Sequence, residues 1–328
     1  MTERSALTGA GVWRPDALAA SDEWNHTLTQ DEQRELLGVL DQPKAERYAL
    51  PTLAPRLAAI QHQLEEGTGA VWLRGFPSDG LNEDQAKRLY WAIGAELGTA
   101  VSQSPAGERI YSVRDAGFGN NDPRSRGPNT SKKLSFHSDR ADVVGFLCLQ
   151  QAKEGGENEV ASAMLVYNRI LEARPDLLDE LMQPFFYLRH TVDHGNDHPW
   201  CKQPVFSFRD GHFACCFLRV LIERAARDER LPDLTPKQVE ALDLVEAIAG
   251  EPEMHLRFRQ KPGDLLFLNN WMVLHRRTAF VDHDELDKRR HILRLWLSMP
   301  NSRPLDPLFI DNFGAVEAGA IRGGMRTQ

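Results

Sequence analysis

The chain has 328 residues, 41% hydrophobic and 26% charged, the composition of a soluble globular protein with one large core or two modest ones. A formal charge of −8 gives no basic field, which argues against nucleic acid as a partner. No apolar run is long enough to span a bilayer, and the opening MTERSALTGAGVWRPDALAA lacks the basic-then-apolar pattern of a signal peptide, so neither a membrane nor export is expected.

In chain order, the first third reads as helical. TQDEQRELLGVL opens with Thr29 and Glu32 at capping-box spacing and places Leu36, Leu37 and Leu40 on one face. APRLAAIQHQLEEG continues the helical period to a stop at Gly67. AVWLRGF (70–76) reads as a strand, and NEDQAKRLYWAIGAEL (82–97) as a helix capped by Asn82. From RIYSVRDAG onward, short strands alternate with Gly, Pro and Asn, and residues 118–133 form a long polar loop, a fair lid. AMLVYNRILEARPDLLDELM is a helical pair broken at Pro175. PVFSFRDGHFACCF is a hairpin turning at Asp210–Gly211, and TPKQVEALDLVEAIAG is a helix capped by Thr235 and stopped at Gly250. The last strands are MHLRFRQ, DLLFLNNWMVLHR and RHILRLWLSM. No linker or repeat divides them, so residues 1–328 are expected to form a single domain. Its 1–69 part would be mainly helical and packed on a 70–328 β core with helical insertions.

Cys148, Cys201, Cys215 and Cys216 match neither a zinc knuckle nor a disulfide framework, and read as reduced core residues of a cytoplasmic protein.

The chemistry concentrates in KLSFHSDRADVV (133–144). With 11 histidines and 47 acidic residues, about one or two His-x-acid triplets arise by chance, so His137 and Asp139 need support from elsewhere. If the segment is a strand, both side chains project to one face. The other triplet, at His283, lies in the polar loop VDHDELDKRR. His275 is the best third ligand. The Pro262-Gly263-Asp264 turn launches a strand in which Phe267, Asn269, Trp271, Val273 and His275 alternate onto one side. Two imidazoles and one carboxylate on one face of a metal leave three positions open, the arrangement of non-haem Fe(II) oxygenases. On the strand RRHILRLWLSM, Arg290, Ile292, Arg294 and Trp296 share a face. Two arginines buried there call for an anion, which a guanidinium meets with paired charge-assisted bonds.

The ordered set FHSD, GGEN, PGDLLFLNNWMVLH and RRHILR resembles the Fe(II)/2-oxoglutarate-dependent dioxygenases of the taurine dioxygenase and clavaminate synthase-like group. WLRGF (72–76) and the tail AGAIRGG extend the resemblance over most of the chain from about residue 70. It implies a mainly β, α+β fold, a double-stranded β-helix or jelly roll with added helices. It implies iron on His137, Asp139 and His275, and the distal carboxylate of 2-oxoglutarate on Arg290. It gives Arg294 a cofactor or substrate contact. Relatives place Thr or Ser where GGEN has Asn158, whose amide can still donate to the cofactor. The implied reaction uses Fe(II), 2-oxoglutarate and O2. It releases succinate and carbon dioxide while oxidising an unactivated C–H bond, most simply by hydroxylation. Halogenating relatives lack the carboxylate, so Asp139 implies hydroxylation instead.

For substrate the residues point to a small acidic or amino-acid-like molecule, met by Arg294 and by Arg219, with Arg189, Arg124 and Arg126 as weaker contacts. His190, His194 and His198 are spaced by four, but Gly195 and Pro199 oppose a helix there, so they read as loop histidines. Trp271 and Trp296 read as core. A zinc hydrolase on the same three ligands, or a silent small-molecule-binding β-barrel, remain as rivals, and a homo-oligomer is left open.

Overall fold

A computed structural model of the protein describes residues 5–117, 127–190 and 193–326. Arg124, Arg126 and most of the 118–133 loop lie outside the described residues.

The long apolar strands are built by period two. In His291–Ser298, Leu293, Leu295 and Leu297 face one way, and Ile292, Arg294 and Trp296 the other. This strand belongs to the larger sheet, ordered Asn25–Thr27, Ala70–Arg74, Leu265–Asn269, Val143–Gln150, His291–Ser298 and Thr99–Ala100, with Ile110–Val113 also on His291–Ser298. All its pairs are antiparallel except the first. A smaller antiparallel sheet is ordered His255–Phe258, Asn158–Ser162 and Val273–Arg277.

The two sheets face each other. Val144, Leu266, Leu268 and Trp296 of the larger sheet share a buried cluster with Val160 and Val273 of the smaller. On the outer side of the larger sheet, the three leucines and Phe267 pack with Leu57 and Ile60 of helix Ala54–Glu66 and with Leu89 and Ile93 of helix Glu83–Leu97. Ala161 and Leu274 back the smaller sheet onto helices Ala163–Ala173, Pro175–Leu181 and Pro236–Gly250. The result is the expected jelly-roll core with added helices. Gly145, in the middle strand, permits this packing, because a Cβ there would lie 2.4 Å from the Tyr90 hydroxyl and 2.8 Å from the Phe267 ring.

Local signals set the edges. Capping boxes form at Thr29–Glu32, Asn82–Gln85 and Thr235–Gln238. The hairpin turns at Asp210 and Gly211, both with positive φ. Gly250 is the last helical residue and not the stop, since the chain turns extended at Glu251. Asn25–Thr27, a polar segment without alternation, adds parallel to Ala70–Arg74 as an unforeseen edge strand.

Two further expectations need correction. DLLFLNNWMVLHR is two strands in two sheets and not one. Asn269 Oδ1 accepts the Trp271 N–H (2.9 Å), and Asn269 Nδ2 reaches the Leu64 carbonyl (2.9 Å), so the backbone turns over Asn270–Met272. Phe267 therefore faces the outer helices and Trp271 packs with Phe309 and Phe313, while Val273 and His275 keep their shared inward face. The second correction concerns His137–Asp139, which is not a strand. Only His137 pairs, through an isolated bridge.

Candidate active site

That bridge brings the site together. The N–H of His137 and the carbonyl of His275 bond at 3.0 Å, and the reciprocal bond is also 3.0 Å. Directly paired residues share a face, and the imidazole centroids lie 4.4 Å apart. Ser138 is drawn to the other side, bonding the Phe217 carbonyl through its N–H (2.9 Å) and the Phe217 N–H through Oγ (3.0 Å). The Asp139 N–H donates to Asn270 Oδ1 (2.9 Å), returning its carboxylate toward the histidines, with Oδ2 3.8 Å from His275 Nε2. Ligand atoms of His137, Asp139 and His275 all lie within 4.8 Å of one another.

The donor chemistry fits a metal. His137 Nδ1 lies 2.9 Å from the Ser135 carbonyl, which assigns the proton to Nδ1 and leaves Nε2 as a lone-pair donor. His275 is buried with neither ring nitrogen partnered, and a bound cation would satisfy one of them. Burial, then His137, pushes its pKa down to about 3, so the imidazole is neutral, the form a metal requires. Burial alone would raise the Asp139 carboxyl. The charge of Arg294 is the largest influence against it, and the pKa is held below its usual value.

Asp142 fixes the loop from behind. It is fully buried and accepts from Trp271 Nε1 (2.8 Å), the Met299 N–H (2.9 Å) and Arg322 Nε (2.7 Å). Arg322 belongs to the AGAIRGG tail, and its Nη2 donates to the Arg303 carbonyl (2.8 Å).

Arg294 and Arg290 point inward as expected. Arg294 Nε donates to Gln103 Oε1 (2.7 Å), and Nη1 lies 3.4 and 3.5 Å from the Asp139 oxygens. Arg290 is buried with Nε and Nη1 unpartnered, and burial lowers its pKa to about 10. Beside it sits Arg277, buried and bonded, among the described residues, to the backbone carbonyls of Thr278 (3.1 Å) and Lys132. Burial and then Arg290 lower its pKa to about 9. Both guanidiniums lie over Phe280, at 4.6 and 5.3 Å. Asp282 acts on both from a distance, and Asp115 on Arg277, yet burial and mutual repulsion still prevail, so two buried cations this weakly compensated call for an anion. The glycines of GGEN make room: both have positive φ, and a Cβ on Gly156 would approach Arg290 Nε to 3.3 Å. Asn158 lines the same end and gives one amide N–H to Gln260 Oε1 (3.0 Å), leaving the other for a ligand.

Other expectations fare differently. The guanidinium of Arg219 is engaged by Glu223 (2.7 Å), Asp243 (2.6 Å) and Glu246 (3.1 Å), so its charge is largely compensated, although the residue lines the same cavity as the triad. Arg189 is likewise used, by Asp311 (2.9 Å) and Asn312 Oδ1 (3.0 Å). His190, His194 and His198 lie on no helix. Trp271 is core. Trp296 is core but also borders the cavity. Sequence reasoning missed Gln103 and Asn270, polar residues in unremarkable contexts. It also missed Arg277 as an anion-facing group, although its place two residues after His275 was a signal.

The triad, Arg290, Arg277, Asn158 and Arg294 line one cavity of about 380 Å³, which continues past the triad to Tyr187, Asp193, Gln203, Cys216 and Phe313.

Three comparisons bear on the chain. The family described as "Taurine catabolism dioxygenase TauD, TfdA family" matches residues 34–296. FR-33289 synthase of Streptomyces rubellomurinus is 32% identical over 314 residues, covering 92% of each chain. Asparagine oxygenase, solved with Fe(II), 2S,3S-3-hydroxyasparagine and succinate, superposes with a TM-score of 0.65 at 19% identity, covering 84% of this chain and 93% of its own. The non-haem iron oxygenase OrfP, solved with Fe and alpha-ketoglutaric acid, superposes at 0.59 and 15% identity, covering 84% and 94%.

Proposed function

The chain belongs to the TauD/TfdA dioxygenase family, and from that premise we propose that it hydroxylates an unactivated C–H bond of a small molecule, using Fe(II), 2-oxoglutarate and O2. The observation that carries this reading is buried His275 with both ring nitrogens unpartnered beside His137 and Asp139. His137, Asp139 and His275 hold the iron. When bound, the iron would let O2, the oxidant, take two electrons from 2-oxoglutarate, giving succinate and CO2, and two from the substrate C–H bond.

The protein's own contribution is positioning. Arg290, with Asn158, takes the distal carboxylate of 2-oxoglutarate. Arg294, held by Gln103, compensates the Asp139 charge and presents a cation to whatever binds beside the triad. The apolar walls of Phe146, Ile292 and Trp296 exclude water from the reacting centre. A zinc hydrolase would leave the buried Arg290–Arg277 pair without a use. Among the described residues, no helix is long and apolar enough to cross a membrane. The four cysteines are free and buried, which suits a cytoplasmic enzyme.

The test is anaerobic addition of Fe(II) and then 2-oxoglutarate to metal-free protein. A visible charge-transfer band is expected, absent in Asp139→Ala and His275→Ala. Iron binding without that band in the unmodified protein would sink the reading.

A further inference from the structure

The end of the cavity remote from Arg290 has the opposite hydrogen-bonding need. Arg219, next to Leu218 on the lining, is held by its three carboxylates; the charged groups at Asp193 itself are Arg140 and Arg189, with Asp311 behind. Both guanidiniums are committed. Arg140 gives Nε to the Asn312 carbonyl (2.7 Å) and Nη1 to Asp193 Oδ2 (2.5 Å). Arg189 bonds Asp311, Asn312 Oδ1 and the His198 carbonyl (3.3 Å). What is left over is an acceptor. Asp193 Oδ1 is buried and has no partner, on a side chain only 3% exposed.

Across the same lining stands Gln203, 1% exposed, one end of its amide 3.0 Å from Cys216 Sγ and the other, assigned as Oε1, unpartnered. Either orientation of that amide leaves one polar atom unused. Both groups sit one step from the iron ligands. Arg140 follows Asp139 and holds Asp193, while Cys216, which holds Gln203, precedes Phe217, the partner of Ser138. Around them are the apolar or thiol walls of Leu218, Phe313, Met325 and Cys201.

An orphaned carboxylate oxygen in such walls costs about 1–3 kcal/mol until a donor reaches it. A second anion would find both arginines spent and a carboxylate facing it. We propose that Asp193, with Gln203, forms a substrate subsite for a hydrogen-bond-donor head group, an ammonium or amide N–H. An anionic end of the same molecule would then lie toward Arg294. The subsite rests on the oxygenase reading only in taking this half of the cavity as the substrate's.

The test is titration calorimetry on the anaerobic Fe(II)·2-oxoglutarate protein with four probes of equal length, cosubstrate saturating. Two carry donor heads, 6-aminohexanoate and 6-amino-6-oxohexanoate. Heptanoate carries a methyl and heptanedioate a carboxylate. The donor heads are expected to bind at least about tenfold more tightly than heptanoate, the value of one charge-assisted hydrogen bond, with heptanedioate weakest. Asp193→Asn and, separately, Gln203→Leu should shrink that preference; if Asp193→Asn misfolds, the ranking in the unmodified protein still decides. Equal binding of all heads, preference for heptanedioate, or no binding by any probe overturns the subsite. The charge-transfer band in the same sample separates the two readings: with the band present and no donor preference the oxygenase stands and the subsite falls. Donor preference without the band gives the reverse.

Discussion

The strand His291–Ser298 and the loop His137–Asp139 deliver site residues by opposite means. On the strand, strict alternation puts three leucines into the outer core and Arg294 and Trp296 inward, so the same backbone that anchors the sheet aims the side chains. The loop has no ladder of its own. Its direction is imposed by neighbours: the His275 backbone, the Asn270 side chain, Phe217, and the buried Asp142–Arg322 pair. A regular element carries its function on its packing, whereas an irregular one borrows its geometry from distant residues. Mutations should separate the two.

The largest expected effect is at the ligand. Asp139→Ala should lose at least about a thousandfold in succinate release, beyond the ten- to hundredfold typical of residues that merely support a ligand. Gln103 still engages Arg294 there, so a thermal melt should show a folded protein, and retained turnover would remove Asp139 from the metal. Next is Arg290→Ala, which deletes charge-assisted bonds and should raise the KM for 2-oxoglutarate about a hundredfold. Steady-state kinetics showing an equal rise for substrate would mean that the wrong arginine carries the cosubstrate.

Asn270→Ala attacks the loop without touching a ligand. It orphans the Asp139 N–H and the Ala141 carbonyl, and should weaken iron binding about tenfold or more in a metal competition assay. Unchanged iron affinity would show that the bridge to His275 alone suffices. Smallest at the metal is Leu295→Ala. It should cost about 2–5 kcal/mol in denaturant unfolding through the cavity it opens. Iron affinity should stay within about twofold, because the side chain faces the other layer. A matching loss of iron affinity would erase the contrast between strand and loop.

Much of this was legible in the sequence by itself: the helices with their caps, the Asp210–Gly211 hairpin, the jelly-roll class, and the convergence of His137, Asp139, His275, Arg290 and Arg294. Those features rest on local chemistry, on period two, or on motif order, all of which survive in one dimension. Tertiary structure alone decided the rest. DLLFLNNWMVLHR reads as one strand because its apolar run is unbroken. It becomes two because Asn269 and Asn270 find partners at Leu64, Ala141, Asp139 and Asp142, far away in the chain. Arg219 reads as free for a substrate, yet three carboxylates on its own and a neighbouring helix claim it. Arg277 and Asp193 gain meaning only from what the described residues do not supply, a bonded carboxylate for one and a donor for the other's second oxygen. A missing partner is a property of the folded surroundings, and no pattern along the chain encodes it.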